Sequence, residues 1–219
     1  MTKVQQKPTQ KRALATREKI LDGLETLLET REFDVLSIAE LEREAGVAVG
    51  SVYSHFKDKD ALLPALLDRQ LDRTQNRLAE LRETGKLDGI AAEGDERPDL
   101  RTALTMSIRG ALAQINQSLG VRRALMTYRR LNPDLEIPLA RTLVEQAFDA
   151  QVRQLEAYRD EIAHDDLSEA AKMVNYFGNI VFLDRIVFVN STLQNKMRPD
   201  DETLIQTYSD MIYHYLTKS

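Results

Sequence analysis

A tyrosine, a histidine and a lysine lie close together in the chain, at Tyr53, His55 and Lys59. They follow a glycine-containing turn in the segment AGVAVGSVYSHFKDKDALL, and the apolar Val52 and Phe56 lie between them. Phenol, imidazole and amine groups can transfer protons in catalysis or hydrogen-bond the phosphates of a nucleic acid. A tyrosine or histidine taken alone is more often a half-buried packing residue, so the surrounding pattern must decide.

Signatures of catalysis are hard to find in the rest of the chain. Its three histidines, His55, His164 and His214, are far apart, and none has a second histidine at metal-ligand spacing. The sequence contains no HExxH, P-loop or GxGxxG motif, and it has no cysteine for disulfides or thiolate metal sites. We therefore expect neither an enzyme nor a metal or cofactor, although catalytic groups can converge from distant positions.

Charge is unevenly distributed along the 219 residues. The net charge is −5, yet residues 1–19 contain six basic residues and one acidic residue. A basic arm on an acidic body is consistent with a polyanionic partner and equally with a solvated leader. No apolar run is long enough for a signal-peptide core or a membrane span, and the lack of cysteine favours a reducing, cytoplasmic location.

Helical periodicity dominates, and strand-like alternation is hard to find. Ser37 and Glu40 have the spacing of a capping box at the start of a second helix, and Gly46 ends that helix, where a left-handed residue is favoured. A short third helix follows at about 49–56. The pattern predicts an all-α fold of about nine helices, with a helix-turn-helix at about 37–56.

A fourth helix is predicted from Asp58 to about Glu83, with Lys59 in its first turn. Pro64 falls inside this predicted helix. Because a proline in a helix interior removes a backbone hydrogen bond, we expect a kink there.

The apolar side chains of the helix-turn-helix predict which face of the third helix is free. Ile38, Leu41, Ala45, Val52 and Phe56 would hold the second and third helices together. A helix presented in this way fits the major groove of B-DNA, which is about 12 Å wide. The side chains that remain facing outward or sideways are Ser51, Tyr53, Ser54 and His55.

The segment LSIAELEREAGVAVGSVYSHFKDKDALL closely resembles the N-terminal DNA-binding domain of TetR-family transcriptional regulators. The basic first helix, KRALATREKIL, is also similar to that family. The resemblance covers residues 14–74, and residues 75–219 are similar only in layout, as a helical effector-binding and dimerisation domain. The residues that carry the resemblance are Ile38-Ala39, Ala45-Gly46-Val47, Gly50, Tyr53, His55-Phe56 and Lys59.

The resemblance implies a ligand-responsive repressor that binds a palindromic operator in double-stranded DNA as a homodimer. It implies that four residues contact phosphates, namely Ser37, Tyr53, His55 and Lys59. It implies that Gly50 allows a close approach of the backbone to DNA or to the second helix, and that four residues approach bases, namely Ala48, Val49, Ser51 and Ser54. Family members commonly carry polar side chains where this chain has Ala48 and Val49. Ala48 cannot cap the third helix, and Val49 can make only apolar contacts, for instance with a thymine methyl group.

The last two predicted helices, at about 167–193 and 201–217, are the expected dimer interface. The first of them is apolar nearly all round, which a surface helix of a monomer would not tolerate, although both helices could equally be core. Asp184 and Arg185 interrupt its apolar run and need partners, either across the dimer or on another helix. Candidates for the lining of an effector pocket, which could also be ordinary core, are Met106, Met126, Tyr128, Phe148, Phe177 and Phe182.

Two other functions stay open at this point, a helical protein–protein adaptor and an all-α enzyme. An adaptor would explain the apolar last helices but not Tyr53, His55 and Lys59. Salt dependence separates it from a DNA-binding protein, because binding that neutralises several phosphates weakens steeply as salt rises.

Overall fold

The computed structural model describes residues 8–83, 97–188 and 196–218. These residues form nine α-helices and one 3-10 turn and contain no β-strand, which confirms the expected all-α fold. None of the described helices is both long and apolar enough to cross a membrane. The helices are α1 (Pro8–Leu28), α2 (Ile38–Ala45), α3 (Ser51–His55), α4 (Leu62–Glu83), α5 (Leu100–Asn116), α6 (Leu119–Leu131), α7 (Pro138–Glu156), α8 (Leu167–Val187) and α9 (Asp201–Thr217), with the 3-10 turn at Phe33–Val35.

The helices form two compact units. The first unit consists of Met1–Gln70 together with Ser118–Leu135, and the second of Leu71–Gln117 together with Glu136–Ser219. The division passes through α4, and α6 lies in the first unit.

The first unit is built around one face of α1. Ile20, Leu21, Leu24 and Leu28 are all buried there, and α1 packs against α2, α3 and α6. Gly23 permits the close approach of α2, because a Cβ at this position would lie 2.9 Å from the backbone nitrogen of Ala45. The helix-turn-helix is therefore held directly on the α1 backbone.

Helix α6 is fixed to the end of α1 by a glycine and an arginine. A Cβ on Gly120 would overlap the backbone carbonyl of Leu28, so only glycine fits at this contact. Arg123 donates to the same carbonyl at 3.4 Å, and its Nε lies 2.8 Å from the Glu32 carboxylate. These contacts explain why a helix distant in sequence joins the first unit.

Helix α4 begins later than predicted. Asp58 accepts a hydrogen bond from the backbone N–H of Ala61 at 2.9 Å, and the helix itself starts at Leu62. Pro64 therefore lies in the first turn, where a backbone N–H has no partner within the helix and proline is tolerated. The prediction that Pro64 kinks the helix interior is wrong for this reason, and Lys59 precedes the helix.

The second unit has its own apolar core. Ion pairs on its surface join α5 to α9, since Arg101 pairs with Asp210 and Arg109 donates two hydrogen bonds to Glu202 at 2.6 and 2.8 Å. The hydroxyl of buried Tyr208 donates to the backbone carbonyl of Val174 at 3.1 Å, and burial raises the pKa of this phenol to about 12. The core side chains include Leu100, Leu104, Leu155, Tyr158, Val174, Tyr208, Ile212 and Leu216.

Candidate nucleic-acid interface

The start of α2 is a capping box. The Ser37 hydroxyl oxygen accepts a hydrogen bond from the backbone N–H of Glu40 at 3.2 Å, and the Glu40 carboxylate accepts one from the backbone N–H of Ser37 at 2.9 Å. This backbone bond, the bond from the Ser37 hydroxyl and the nearby Arg31 lower the pKa of Glu40 to about 2. The predicted capping box is confirmed, and the Ser37 hydroxyl stays exposed at the protein surface.

The turn between α2 and α3 depends on two glycines in the left-handed region. Gly46 has φ 60° and ends α2, as the sequence predicts, while Gly50 has φ 83° and directly precedes α3. The backbone N–H of Val47 donates to the Glu42 carbonyl at 3.1 Å, and that of Ser51 donates to the Ala48 carbonyl at 3.0 Å. Gly50, not Ala48, is therefore the residue that caps α3.

A buried carboxylate completes this turn. Glu42 is only 7% exposed, and its Oε1 accepts a hydrogen bond from the backbone N–H of Gly50 at 2.5 Å. This bond ties the inner side of α2 to the first residue before α3. Sequence reasoning missed Glu42, and the available signal was a charged residue beside Leu41 on the otherwise apolar face of α2.

Helix α3 and the residues on either side of it have a buried side and an exposed side. Val52 is 0% exposed and Phe56 is buried, whereas Val49 is 95% exposed and Tyr53 is 60% exposed. The Ser54 hydroxyl donates to the Ser51 carbonyl at 2.7 Å within the helix. Of the other predicted interface residues, Ala48, Gly50 and Ser54 are exposed, and Ser51 and His55 are half-buried.

Lys59 lies at the edge of this surface and is partly engaged with the protein. Its Nζ donates to the backbone carbonyl of Asp34 at 2.9 Å and lies 4.9 Å from the centre of the Phe33 ring. The expectation that Lys59 lies in the first turn of α4 is wrong, because that helix begins at Leu62. Its ammonium group instead holds the 3-10 turn against the segment that leads into α4.

Helix α1 contributes basic residues to the first unit. Lys11, Arg12 and Lys19 are exposed, and the guanidinium carbon of Arg17 lies 5.5 Å from the centre of the Phe56 ring. Because Phe56 directly follows α3, this contact places the Arg17 guanidinium beside the candidate interface. The arm residues Lys3 and Lys7 lie outside the described residues.

Residues 20–66, which include α2, α3 and their turn, match the family model described as bacterial regulatory proteins, tetR family. This segment is of the TetR type. The matched segment contains the buried Glu42 and Val52 and the exposed Val49 and Tyr53. The matched model describes regulatory proteins and not a class of enzymes.

Relatives and solved structures extend this result. The chain is 36% identical over 59 residues to the HTH-type transcriptional repressor Rv1474c of Mycobacterium tuberculosis, covering 27% of this chain and 32% of that protein. It is 28% identical over 133 residues to the HTH-type transcriptional repressor NemR of Escherichia coli K12, covering 48% and 67%. The chain thus spans about a third of the length of the first two curated relatives.

A crystal structure of a TetR-family regulatory protein from Rhodococcus RHA1 has the same fold. It superposes with a TM-score of 0.59 over 93% of this chain and 98% of that one, at 13% sequence identity. At this identity the likeness concerns the arrangement of helices only, and it extends well beyond residues 20–66.

The six residues predicted to line an effector pocket do not line one cavity in this structure. Met126 and Tyr128 lie on α6 in the first unit, and the other four lie in the second. Phe182 lines a cavity of about 210 Å³ in the second unit, and Phe148 packs against the core of that unit. Met106 and Phe177 are exposed, at 63% and 46%.

Helix α8 carries an exposed apolar stripe, and its two central charges are paired within the chain. Arg185 lies 2.7 Å from a carboxylate oxygen of Asp201 on α9, and Asp184 lies 3.0 Å from a guanidinium nitrogen of Arg198. The part of the predicted interface helix at 189–193 lies outside the described residues. The stripe, which we name the α8 stripe, consists of Tyr176, Ile180, Leu183 and Val187.

Proposed function

We propose that the protein is a DNA-binding transcriptional repressor whose α3 helix enters the major groove of its operator. The observation that carries this proposal is the division of α3 and the turn before it into a buried side, at Val52, and an exposed side, at Val49 and Tyr53. Val49 in the turn and Tyr53 on the helix are exposed, so an apolar group is available to base edges and a hydroxyl to phosphates. Such a protein acts where the chromosome is, in the cytoplasm of a bacterium.

Phosphate contacts would fix the orientation of α3 on the duplex. The Tyr53 hydroxyl, the Ser37 hydroxyl and the half-buried His55 imidazole are polar groups at the rim of α3 and the start of α2. Lys59 would add a cation after exchanging the Asp34 carbonyl for a phosphate oxygen. These contacts carry no sequence information, so they would strengthen binding to every duplex alike.

Base contacts would come from the side chains at the start of α3. Val49 is 95% exposed, and in the groove it would contact a thymine methyl group. The neighbouring base contacts would come from Ala48, Ser51 and Ser54. Gly50, which has no side chain, lets the backbone of the turn approach the DNA closely.

The protein would bind as a homodimer through α8 and α9. A single α3 reads only a few base pairs, and two copies on a palindromic operator would read half-sites about 34–36 Å apart. The α8 stripe supports this proposal, because four large apolar side chains at helical spacing remain exposed on one chain. Met211 on α9, 62% exposed, would extend the same interface.

A small-molecule effector would control DNA binding from the second unit. The repressor names of Rv1474c and NemR support repression as the mode of regulation. The cavity that Phe182 lines supports an internal effector site. An effector can change operator affinity only if it binds the DNA-bound and the free conformations unequally.

Selection of bound sites from random duplexes tests the proposal directly. We expect the full chain to enrich a palindrome, and we expect the logarithm of its affinity to fall linearly with the logarithm of the salt concentration. A duplex with the same base composition and scrambled half-sites is the control. Absence of both enrichment and low-salt binding would instead favour a helical protein–protein adaptor.

A further inference from the structure

The cavity in the second unit has an apolar floor. Four helices surround its volume of about 210 Å³, namely α5, α7, α8 and α9. Leu104, Leu155, Val174 and Ile212 contribute buried side chains to its wall. An apolar wall of this kind favours a ligand with an apolar body, because both surfaces lose their contact with water on binding.

The polar part of the cavity consists of uncharged groups. The Gln154 amide nitrogen donates to the Ser107 hydroxyl oxygen at 3.1 Å, and the Asn175 amide nitrogen donates to the Gln151 carbonyl oxygen. Asn179 adds a further carboxamide on α8. The Asn175 amide nitrogen also donates to the Ala171 carbonyl at 3.2 Å, so Asn175 offers a ligand its carbonyl oxygen, while Asn179 carries both a donor and an acceptor.

None of the described residues that line this cavity is charged. The charged residues of α5 are engaged on the surface, where Arg101 pairs with Asp210 and Arg109 pairs with Glu202. A carboxylate or ammonium group placed against the apolar floor would lose hydration and find no opposite charge among the described lining residues. A neutral polar group would lose much less, because carboxamides can replace its bonds to water.

We propose, resting on the function proposed above, that the effector of this protein is an uncharged molecule with an apolar body and a hydrogen-bonding end. Carboxamides, alcohols and phenols belong to this class. Carboxylates, organic phosphates and amines that are ionised at neutral pH do not. Selectivity arises from the amides of Gln151, Gln154 and Asn175 facing an apolar floor.

Three small probes of the same shape separate the possibilities. Benzamide, benzoate and benzamidine share a planar ring and differ in charge, which is neutral, negative and positive at pH 7. We expect isothermal titration with the full chain, in the absence of DNA, to give benzamide an affinity about tenfold or more above that of either ion. Benzoate or benzamidine binding as tightly as benzamide would overturn the proposal, and so would no binding of any probe at about 10 mM.

Two variants locate the binding and test its selectivity. Ala111→Phe places a ring in the cavity and should abolish benzamide binding, whereas Ala113→Phe adds the same ring on the exposed side of α5 and should not. Asn175→Asp introduces a carboxylate, and Gln151 can keep its bond by rotating its amide. We expect this variant to bind benzamidine at least as tightly as benzamide.

The ligand preference and operator binding are measured separately, so either can fail without the other. Benzamide binding that survives Ala111→Phe in a chain with an unchanged melting temperature would show that the probe binds elsewhere and would overturn the inference. Operator binding, measured separately, would then still stand. A chain that binds benzamide selectively but no DNA would refute the proposed repressor function and retain the ligand preference.

Discussion

The backbone N–H of Gly50 donates a hydrogen bond to the carboxylate of Glu42 at 2.5 Å, and this bond joins the two helices of the helix-turn-helix. Gly50 has φ 83°, a conformation that glycine adopts without strain, and it immediately precedes the exposed face of α3. The orientation of Val49 and Tyr53 therefore depends on a residue of α2 that does not itself reach the surface.

Replacing Glu42 tests this dependence. Glu42→Ala removes a charge-assisted hydrogen bond and should lower the free energy of unfolding by about 1–3 kcal/mol. It should also weaken operator binding, because α3 loses its anchor. Urea unfolding and fluorescence anisotropy with labelled operator measure the two effects.

Two further variants show whether the effect comes from the loss of the Gly50–Glu42 hydrogen bond or from any substitution in α2. Glu42→Gln keeps an acceptor oxygen at the same position and should retain most of the stability. Glu44→Ala, at an exposed position of the same helix, should change neither property. Equal effects of Glu42→Ala and Glu44→Ala would contradict the anchoring role.

Tyr53 and Lys59 should affect DNA binding in different ways. Tyr53→Phe removes one neutral donor and should weaken binding up to about tenfold, with the salt slope unchanged. Lys59→Ala removes a cation and should lower the salt slope by about 0.9, since one phosphate is no longer neutralised. Anisotropy titrations at several salt concentrations measure both quantities.

The structure also predicts that only one of these variants changes stability. Lys59→Ala removes the bond to the Asp34 carbonyl and the contact with the Phe33 ring, so its unfolding midpoint should fall. Tyr53→Phe should unfold like the wild type. Wild-type affinity for Tyr53→Phe would contradict a phosphate contact by its hydroxyl.

The capping box of α2 should make stability depend on acid. Hydrogen bonds from Ser37 and the charge of Arg31 lower the pKa of Glu40 from 4.5 to about 2 in the folded protein. The ionised carboxylate therefore stabilises the fold above pH 4.5, and this contribution is lost as the pH falls from 4.5 towards 2. Urea midpoints measured across this range for wild type and Glu40→Gln should differ at pH 6 and converge at pH 2. A constant difference would contradict the assignment, and Glu44→Gln is the control.

The fold could be predicted from the sequence wherever local chemistry determines it. The capping box at Ser37 and Glu40 and the left-handed Gly46 involve residues a few positions apart, so their spacing alone identified the ends of α2. The start of α4 was misplaced because Asp58 closes a turn before the helix instead of capping its first residue. The membership of α6 in the first unit could not be predicted, since it depends on the contact of Gly120 with the distant Leu28 backbone.

In the candidate site, too, local features can be predicted from the sequence and long-range contacts cannot. Exposure of Tyr53 follows from its position between buried Val52 and Phe56, which the sequence displays directly, whereas Val49 is exposed because α3 begins only at Ser51. The role of Glu42 becomes visible only after the turn brings the Gly50 N–H back to α2. Similarly, nothing in the sequence separates Phe182, which lines the cavity, from Phe177, which is exposed beside it on α8.

The α8 stripe predicts the oligomeric state. Ile180→Glu places a charge in the middle of four exposed apolar side chains and should convert a dimer into monomers, because the charge would be buried without a partner. Sedimentation equilibrium of the full chain measures the change. Val144→Glu makes the same substitution at a 69% exposed valine on α7 and should leave the dimer intact. A dimer that tolerates Ile180→Glu would place the interface elsewhere.

Two glycines in helices should respond to alanine in opposite directions. Gly120 lies against the Leu28 carbonyl, and a Cβ there would overlap backbone atoms that cannot move without separating α6 from α1. Gly120→Ala should therefore lower the free energy of unfolding by about 1–3 kcal/mol, the usual effect of overpacking. Gly110 on α5 has open space around its missing side chain, so Gly110→Ala should instead stabilise the protein by about 0.5–1 kcal/mol through helix propensity. Thermal unfolding followed by circular dichroism measures both shifts, and a stabilising Gly120→Ala would mean that α6 does not pack on the end of α1 in solution.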